Sequence, residues 1–261
     1  MNRVPRWIVV FTAIVLFCMH LPVLVLVAFS FNASKFSVGW TGFTLHWYQR
    51  LLEREDILQA LRSSLIVGVS ATVIATACGT LIALALARHR FRGRTLYEGL
   101  IYVPIVTPEI VTGISLLILF VFLRFPLGLV TITIAHVAFS IPFVVVVVMS
   151  RLAGMDDTLE EAAMTLGADE ITAFWKITVP LLSPGIISAA LLTFILSFDD
   201  FVITSFVAGS GSSTLPLIIY SMVRRNVEPS INAISTVIVI GTSIMLYVAE
   251  KLTREDSRAK T

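Results

Sequence analysis

Three acidic side chains stand inside apolar stretches of this 261-residue chain, where a charge is costly. Asp199 and Asp200 lie in the run LSFDDFVITSF, and Glu109 follows two prolines in YVPIVTPEIV. A carboxylate in the middle of a bilayer costs roughly 2.5–3.5 kcal/mol on insertion scales, so these side chains should face protein or water. Acids in such positions can bind a cation, relay protons or hydrogen-bond to backbone groups at a helix break.

Aromatic residues beside the two adjacent aspartates favour a cationic guest. Phe198 precedes the pair, and Phe194 lies one helical turn earlier. Such rings attract a cation through their negative faces. We therefore interpret Asp199, Asp200 and Phe198 as part of a pathway for a cationic solute. Neighbouring residues on a helix point about 100° apart, so one aspartate can line the path while the other pairs with a neighbouring group.

Glu109 is a further pathway candidate, although it also has a structural alternative beside the helix-breaking Pro108. At about 1.5 Å per residue from residue 99, it lies about 15 Å into its apolar stretch, near the middle of a bilayer. It can line the path or hydrogen-bond to backbone groups that the proline frees. His136, in another apolar stretch, is expected to pack with its hydrogen bonds satisfied rather than to bind a ligand.

The elements that carry these residues are apolar stretches long enough to cross a membrane. Hydrophobic residues make up 57% of the chain and charged residues 14%, unlike a soluble domain. A spanning helix needs about 20 mostly apolar residues. Six stretches qualify: 8–29, 64–87, 99–123, 129–149, 182–207 and 231–249. The predicted fold is an all-α membrane protein of six transmembrane helices, with residues 1–261 as one domain.

The lysines and arginines of the short loops predict the orientation. With both termini in the cytoplasm, 12 of the 19 Lys and Arg residues lie inside, which agrees with the positive-inside rule. The densest cluster is RHRFRGR, residues 88–94, which follows the second predicted span. The same orientation puts the polar segment between the fourth and fifth spans, residues 156–180, in the cytoplasm.

This polar segment, 156–180, is predicted to fold as two short helices that form a docking surface. Asp157 can cap the first helix, and Gly167 stands where a helix end favours a left-handed residue. Asp169 can cap the second helix, which Pro180 should stop. Apolar residues at helical spacing leave one face of the segment available to another protein.

The spacing in this segment resembles the EAA signature of the membrane subunits of bacterial ATP-binding-cassette (ABC) importers. The residues that carry the resemblance are Glu161, Ala162, Ala163, Gly167, Ile177 and Pro180. Val179 stands where the signature usually has leucine, a mild departure. The resemblance implies a type I importer permease fold. It also implies that the segment, with Glu160 included, is a coupling helix that sits in a cleft of an ATPase subunit.

Further blocks resemble the second permease of spermidine/putrescine importers, among them RFRGR and LSFDDFVITSFVAG. That family implies a sister permease as heterodimer partner, two ATPase subunits that bind ATP and Mg²⁺, a periplasmic binding protein and a bacterial inner-membrane location. The chain has no G-x-x-x-x-G-K-[ST] phosphate loop, so it is not expected to be the ATPase or to hold a cofactor. No His/Cys cluster predicts a metal site, and a net charge of +2 gives no reason to expect nucleic acid.

Three alternatives remain open at this stage. Related permeases carry opines, aminophosphonates or other amines, and an aspartate pair does not exclude them. A proton-coupled secondary carrier could use Glu109, Asp199 and Asp200 as a relay, although the EAA spacing would then be unexplained. An intramembrane enzyme is disfavoured because no nucleophile–base pair is evident on neighbouring helices.

Overall fold

The computed structural model describes the backbone of residues 5–34, 39–155, 158–225 and 229–258, with side chains up to residue 247. Within these ranges the chain is helical apart from its connections and one isolated antiparallel bridge, Asn32 to Phe43. The helices are α1 Arg6–Ser30, α2 His46–Glu53, α3 Glu55–Arg88, α4 Arg94–Val106, α5 Glu109–Phe122, α6 Leu129–Leu152, α7 Thr158–Thr165, α8 Glu170–Ala173, α9 Val179–Asp199, α10 Val202–Val207, α11 Leu215–Arg225 and α12 Pro229–Arg258. A π-helical turn, Phe174–Thr178, joins α8 to α9.

Five helical segments in the described part are long and apolar enough to cross a membrane. They are Arg6–Ser30, Glu55–Arg88, Leu129–Leu152, Glu170–Asp199 and Pro229–Tyr247. A sixth exists if α4 and α5 count together, although their axes are bent by 106°. The all-α, multi-pass prediction is therefore confirmed, and five to six spans match the six expected.

The predicted stretch 99–123 is not one straight helix. Pro108 lacks an N–H and disfavours helical backbone at the preceding residue, and Thr107 is extended with a ψ of 131°. Helix α5 therefore begins again at Glu109 in a new direction. The depth that we counted for Glu109 along a straight helix does not apply.

The predicted stretch 182–207 is also interrupted. Helix α9 ends at Asp199, Asp200 is extended with a ψ of 123°, and α10 begins at Val202. A polar side chain satisfies backbone groups that this break frees.

The residues group into two compact units, and each is described by itself. The first comprises the described parts of Met1–Leu58 and Ile218–Ser243. Its connection after α1 is organised by Asn32, which is 1% exposed. The side-chain amide of Asn32 donates to the carbonyl of Gly39 (2.6 Å), and the backbone carbonyl of Asn32 accepts the indole N–H of Trp47 (2.8 Å). The described part of the connection is thus folded around a buried polar residue.

The second unit comprises Gln59–Leu217 and the described part of Ile244–Thr261, and α6 lies at its centre. One apolar cluster joins α3, α6 and α9 through residues that include Ala75, Ala83, Val144, Val148 and Leu182. A second cluster joins α3, α5, α6 and α10 through residues that include Val67, Phe120, Ile132, Ile203 and Val207. Small residues on α3 allow these close helix contacts.

Gly79 lies where α3 closely approaches α6 and gives a test of this packing. A Cβ atom at Gly79 would lie 2.6 Å from the side chain of Val144. Gly79→Ala should therefore force the helices apart and destabilise the fold by about 1–3 kcal/mol, the usual cost of overpacking. Thermal melting of the detergent-solubilised protein measures the effect.

The matched control is Gly99→Ala, since a Cβ at Gly99 on α4 would meet nothing within 4 Å. This variant should melt at or slightly above the temperature of the parent because alanine favours helix. Equal melting of the two variants would contradict the close crossing of α3 and α6.

Candidate functional site

The break between α9 and α10 is capped by the side chain of Asp200. Its Oδ1 atom accepts the N–H of Ile203 (3.2 Å), and its Oδ2 atom accepts the N–H of Thr204 (2.8 Å). The Thr204 hydroxyl also donates to Oδ2, at 2.7 Å. First-turn N–H groups have no partner within their own helix, so the carboxylate stabilises α10 as a capping group does.

His136 of α6 completes the hydrogen bonding around Asp200. Its ring is 2% exposed, and Nε2 lies 3.2 Å from Oδ2 of Asp200 and 2.9 Å from Oγ1 of Thr204. Its Nδ1 atom lies 2.7 Å from Oγ of Ser197 on α9. The prediction of a satisfied packing histidine is confirmed, but sequence reasoning missed its contact with the acid pair. A buried histidine and a buried acid in separate apolar stretches could have signalled this pairing.

Asp199 differs from its neighbour because its side chain is exposed. Within the described residues it makes no hydrogen bond or ion pair. Phe198 beside it is half-buried and stacks on Phe194, with ring centroids 5.6 Å apart and planes 17° apart. Phe194 in turn packs on α3, where a Cβ at Gly68 would lie 3.2 Å from its ring. The free carboxylate therefore directly follows, in sequence, a phenylalanine whose ring is held in an aromatic stack.

Glu109, the fourth pathway candidate, is joined to none of the other three by a hydrogen bond among the described residues. It is exposed in the first turn of α5, just after the bend at Pro108. An acidic side chain is favourable at a helix N-terminus because of the helix dipole. Phe198, Asp199 and Asp200 are consecutive at the end of α9, and no hydrogen bond among the described residues joins Glu109 to them.

The first half of the polar segment folds as predicted around Gly167. Helix α7 ends at Thr165, and Gly167 has a φ of +97°. Its N–H donates to the carbonyl of Met164 (3.0 Å), and the N–H of Ala168 donates to that of Ala163 (3.0 Å). These two bonds form a Schellman motif, which glycine permits at this φ. The predicted cap at Asp157 lies outside the described residues.

The second half begins where predicted, but without the predicted cap, and it ends differently. Asp169 stands before α8 with an extended backbone, and its side chain makes no capping hydrogen bond to that helix. The neighbouring Thr172 side chain lowers the pKa of the Asp169 carboxyl below its usual value. The predicted stop at Pro180 is wrong, because the π-helical turn carries the chain into α9 with Pro180 in its first turn. A proline at that position removes an N–H that first-turn residues leave unbonded.

Both halves of the segment are tied to the end of α3 through Glu160. The Glu160 carboxylate accepts from the guanidinium of Arg88 and from the hydroxyl of Thr178 (2.7 Å). Arg88 also donates to Thr178 (3.2 Å), and its guanidinium carbon lies 5.8 Å from the centre of the Phe174 ring. One arginine of the basic cluster therefore connects α3 to α7 and to the π-helical turn.

A cavity of about 620 Å³ lies beside this connection. Its wall includes Arg88, Glu160, Glu161, Ile177 and Thr178. Of the candidate coupling residues, the structure thus places Glu160, Glu161 and Ile177 around one space.

The outer face of the segment exposes large apolar side chains. Leu166 is 90% exposed, and Ile171 and Trp175 are each more than half exposed. The remaining signature residues, Ala162, Gly167 and Pro180, are exposed, and Ala163 is partly buried. An exposed apolar face rimmed by charges is typical of a protein–protein contact.

No group of His, Cys, Asp or Glu in the described ranges is arranged to hold a metal ion.

Comparisons with known proteins give the family. Residues 75–249, more than half of the chain, match the family model described as "Binding-protein-dependent transport system inner membrane component". The chain is 41% identical over 243 residues to the spermidine/putrescine transport system permease protein PotC of Escherichia coli K12, covering 93% of this chain and 92% of the relative. It is 41% identical over 260 residues to the putrescine transport system permease protein PotI of the same organism, covering 95% and 92%.

A solved structure agrees on the fold. A chain of a bacterial ABC transporter involved in the import of the acidic polysaccharide alginate superposes with a TM-score of 0.75 at 18% identity, covering 96% of this chain and 98% of that chain. At this identity the likeness concerns the fold alone. The chain therefore belongs to the family of binding-protein-dependent transport system inner membrane components and is a multi-pass permease subunit.

Proposed function

We propose that this permease pairs with a sister permease to form the path through which an ATP-driven importer carries polyamines such as putrescine and spermidine. The observation that carries the proposal is Asp199, an exposed carboxylate without a partner in the described residues, next in sequence to Phe198, whose ring stacks on that of Phe194. An ammonium group gains from both a free carboxylate and an aromatic face. The names of the relatives at 41% identity support the same substrate class.

The polar segment 156–180 is the proposed contact with two ATPase subunits, which bind ATP and Mg²⁺ and perform the hydrolysis. Its exposed Leu166 and Trp175 suit a cleft on another protein, and Gly167 fixes the turn between its two helices. The connection of Glu160 to Arg88 offers a path by which movement of the segment reaches α3.

The remaining partners and the topology follow from the same proposal. A periplasmic binding protein delivers the solute, and residues 1–261 act as one transmembrane domain with both termini in the cytoplasm. The basic residues of 88–94 support this orientation through the positive-inside rule. Glu109 is proposed to line the path at the bend between α4 and α5.

The test is ATPase activity of the complete importer in proteoliposomes, with its binding protein, across a panel of solutes. Putrescine or spermidine should stimulate hydrolysis several-fold, while an opine, an aminophosphonate and a neutral sugar should not. Stimulation by one of the other amines alone would agree with an ATP-driven importer but would reject polyamines as its substrates. Uptake driven by a proton gradient without any ATPase subunit would reject the importer itself.

A further inference from the structure

We infer that the two adjacent aspartates have separate roles: Asp199 meets the substrate, whereas Asp200 and His136 form a clamp that fixes the helix break and so positions Asp199. The clamp is defined by His136, Ser197, Asp200 and Thr204. The role of Asp199 rests on the proposed function, but the clamp rests on hydrogen bonds within the chain.

The hydrogen-bonding capacity of Asp200 distinguishes it from Asp199. A carboxylate offers about four lone-pair sites. In this structure Oδ1 accepts the N–H of Ile203, and Oδ2 receives the N–H and hydroxyl of Thr204 and faces Nε2 of His136. Four donors therefore occupy the group, and its side chain is 7% exposed. Only one acceptor site remains on Asp200, on Oδ1 of a buried side chain, whereas Asp199 is exposed and accepts no hydrogen bond from any described residue.

One arrangement of protons satisfies the whole clamp. If Nε2 of His136 carries the proton, it donates to Oγ1 of Thr204 and to Asp200, at 2.9 and 3.2 Å. Nδ1 then accepts the hydroxyl proton of Ser197 (2.7 Å), and the Thr204 hydroxyl donates to Asp200 (2.7 Å). A neutral imidazole thus leaves every polar atom of the clamp bonded. Fully satisfied buried networks rigidify the elements that they join.

Helix α10 is also anchored at its other end and along its side. Oγ1 of Thr131, in the first turn of α6, lies 2.8 Å from the carbonyl oxygen of Val207. The ring of Phe206 lies against α5 so closely that a Cβ at Gly113 would come within 2.6 Å of it. Helix α10 is therefore held to α5 and α6, and the clamp joins its first turn to α6 and α9. The backbone at 199–201 is fixed from both sides.

The experiment compares Asp199→Asn, Asp200→Asn, Asp200→Ala, His136→Gln and His136→Ala in the complete importer. Uptake is measured for diamines of three chain lengths, 1,3-diaminopropane, putrescine and cadaverine, so that KM and maximal rate are separated. Size-exclusion chromatography reports how much complex assembles. The conservative variants keep a group that can hydrogen-bond, and they test the clamp even if the alanine variants fail to assemble.

The expected result is a division between the two aspartates. Asp199→Asn should raise KM for every diamine at least tenfold. Asp200→Asn should raise it less than threefold, because an amide oxygen at the Oδ2 position still accepts from Thr204 and from Nε2 of His136, and only the N–H of Ile203 loses its partner. Asp200→Ala and His136→Ala should alter the preference among chain lengths by fivefold or more, because Asp199 is displaced. Combining these two alanine changes should add little to either alone, since both remove the same clamp.

Three outcomes would overturn the inference. If Asp200→Asn raises KM as much as Asp199→Asn, Asp200 binds the cation directly and the division is wrong, while the proposed function stands. If the alanine variants lower the maximal rate equally for all three diamines at unchanged KM, the clamp is merely structural. If Asp199→Asn leaves every KM unchanged, the proposed substrate contact fails and the positioning role fails with it.

Discussion

Replacement of Asp199 by asparagine is expected to raise the KM for putrescine about tenfold to a hundredfold without preventing assembly of the importer. A hydrogen bond to a charged group contributes about 1.5–3 kcal/mol, and each 1.4 kcal/mol is a factor of about ten in affinity. Asp199 is exposed and has no partner among the described residues, so its loss leaves no buried group unsatisfied. The effect should therefore appear in transport and hardly at all in thermal stability.

Asp199→Glu is the matched control for this prediction. It keeps the negative charge and adds one methylene, so its KM should lie much closer to that of the parent than to that of Asp199→Asn. Stimulation of the ATPase by the loaded binding protein should remain in both variants. Equal KM values for the parent and Asp199→Asn would reject Asp199 as the cation-binding carboxylate.

Residue patterns predicted the long elements of this fold well, because membrane crossing depends on apolar length alone. The stretches 8–29, 129–149 and 231–249 each lie entirely within one observed helix. Gly167 was likewise predictable, since a glycine after a short amphipathic helix has few other uses than a left-handed helix end. These features depend on local sequence.

Features that depend on a partner in another element were not predictable. Helix α9 ends at Asp199 although no proline or glycine stands there, because His136 and Thr204 stabilise the carboxylate of Asp200 outside the helix. Conversely, Pro180 does not end the helical segment that begins at Glu170. The π-helical turn leads directly into α9, and Pro180 lies in the first turn of α9, where a missing N–H is tolerated. Spacing alone also treats Asp199 and Asp200 alike, and only the contacts of Asp200 distinguish them.

The connection between Arg88 and Glu160 was not predictable from local sequence either, since 72 residues separate the two. Its side chains are partly exposed, 38% and 23%, and an ion pair so placed contributes little to overall stability. We expect the ion pair to transmit movement of the segment 156–180 rather than to stabilise the fold, because it ties the proposed ATPase contact to the end of α3. Disrupting it should therefore affect the coupling of hydrolysis to uptake more than folding.

Glu160→Arg should lower putrescine uptake at least tenfold while ATP hydrolysis continues, because two guanidinium groups would then repel each other across the α3–α7 contact. Uptake per ATP hydrolysed in proteoliposomes measures this uncoupling.

The double variant Arg88→Glu with Glu160→Arg restores opposite charges and should recover part of the lost uptake, although the bond from Thr178 to Glu160 is not rebuilt. The control is the same exchange at Arg94 and Glu98, a pair within α4 alone, which should leave coupling intact. Full coupling in Glu160→Arg, or no recovery in the double variant, would mean that motion of the segment reaches the membrane helices through the π-helical turn and α9 instead.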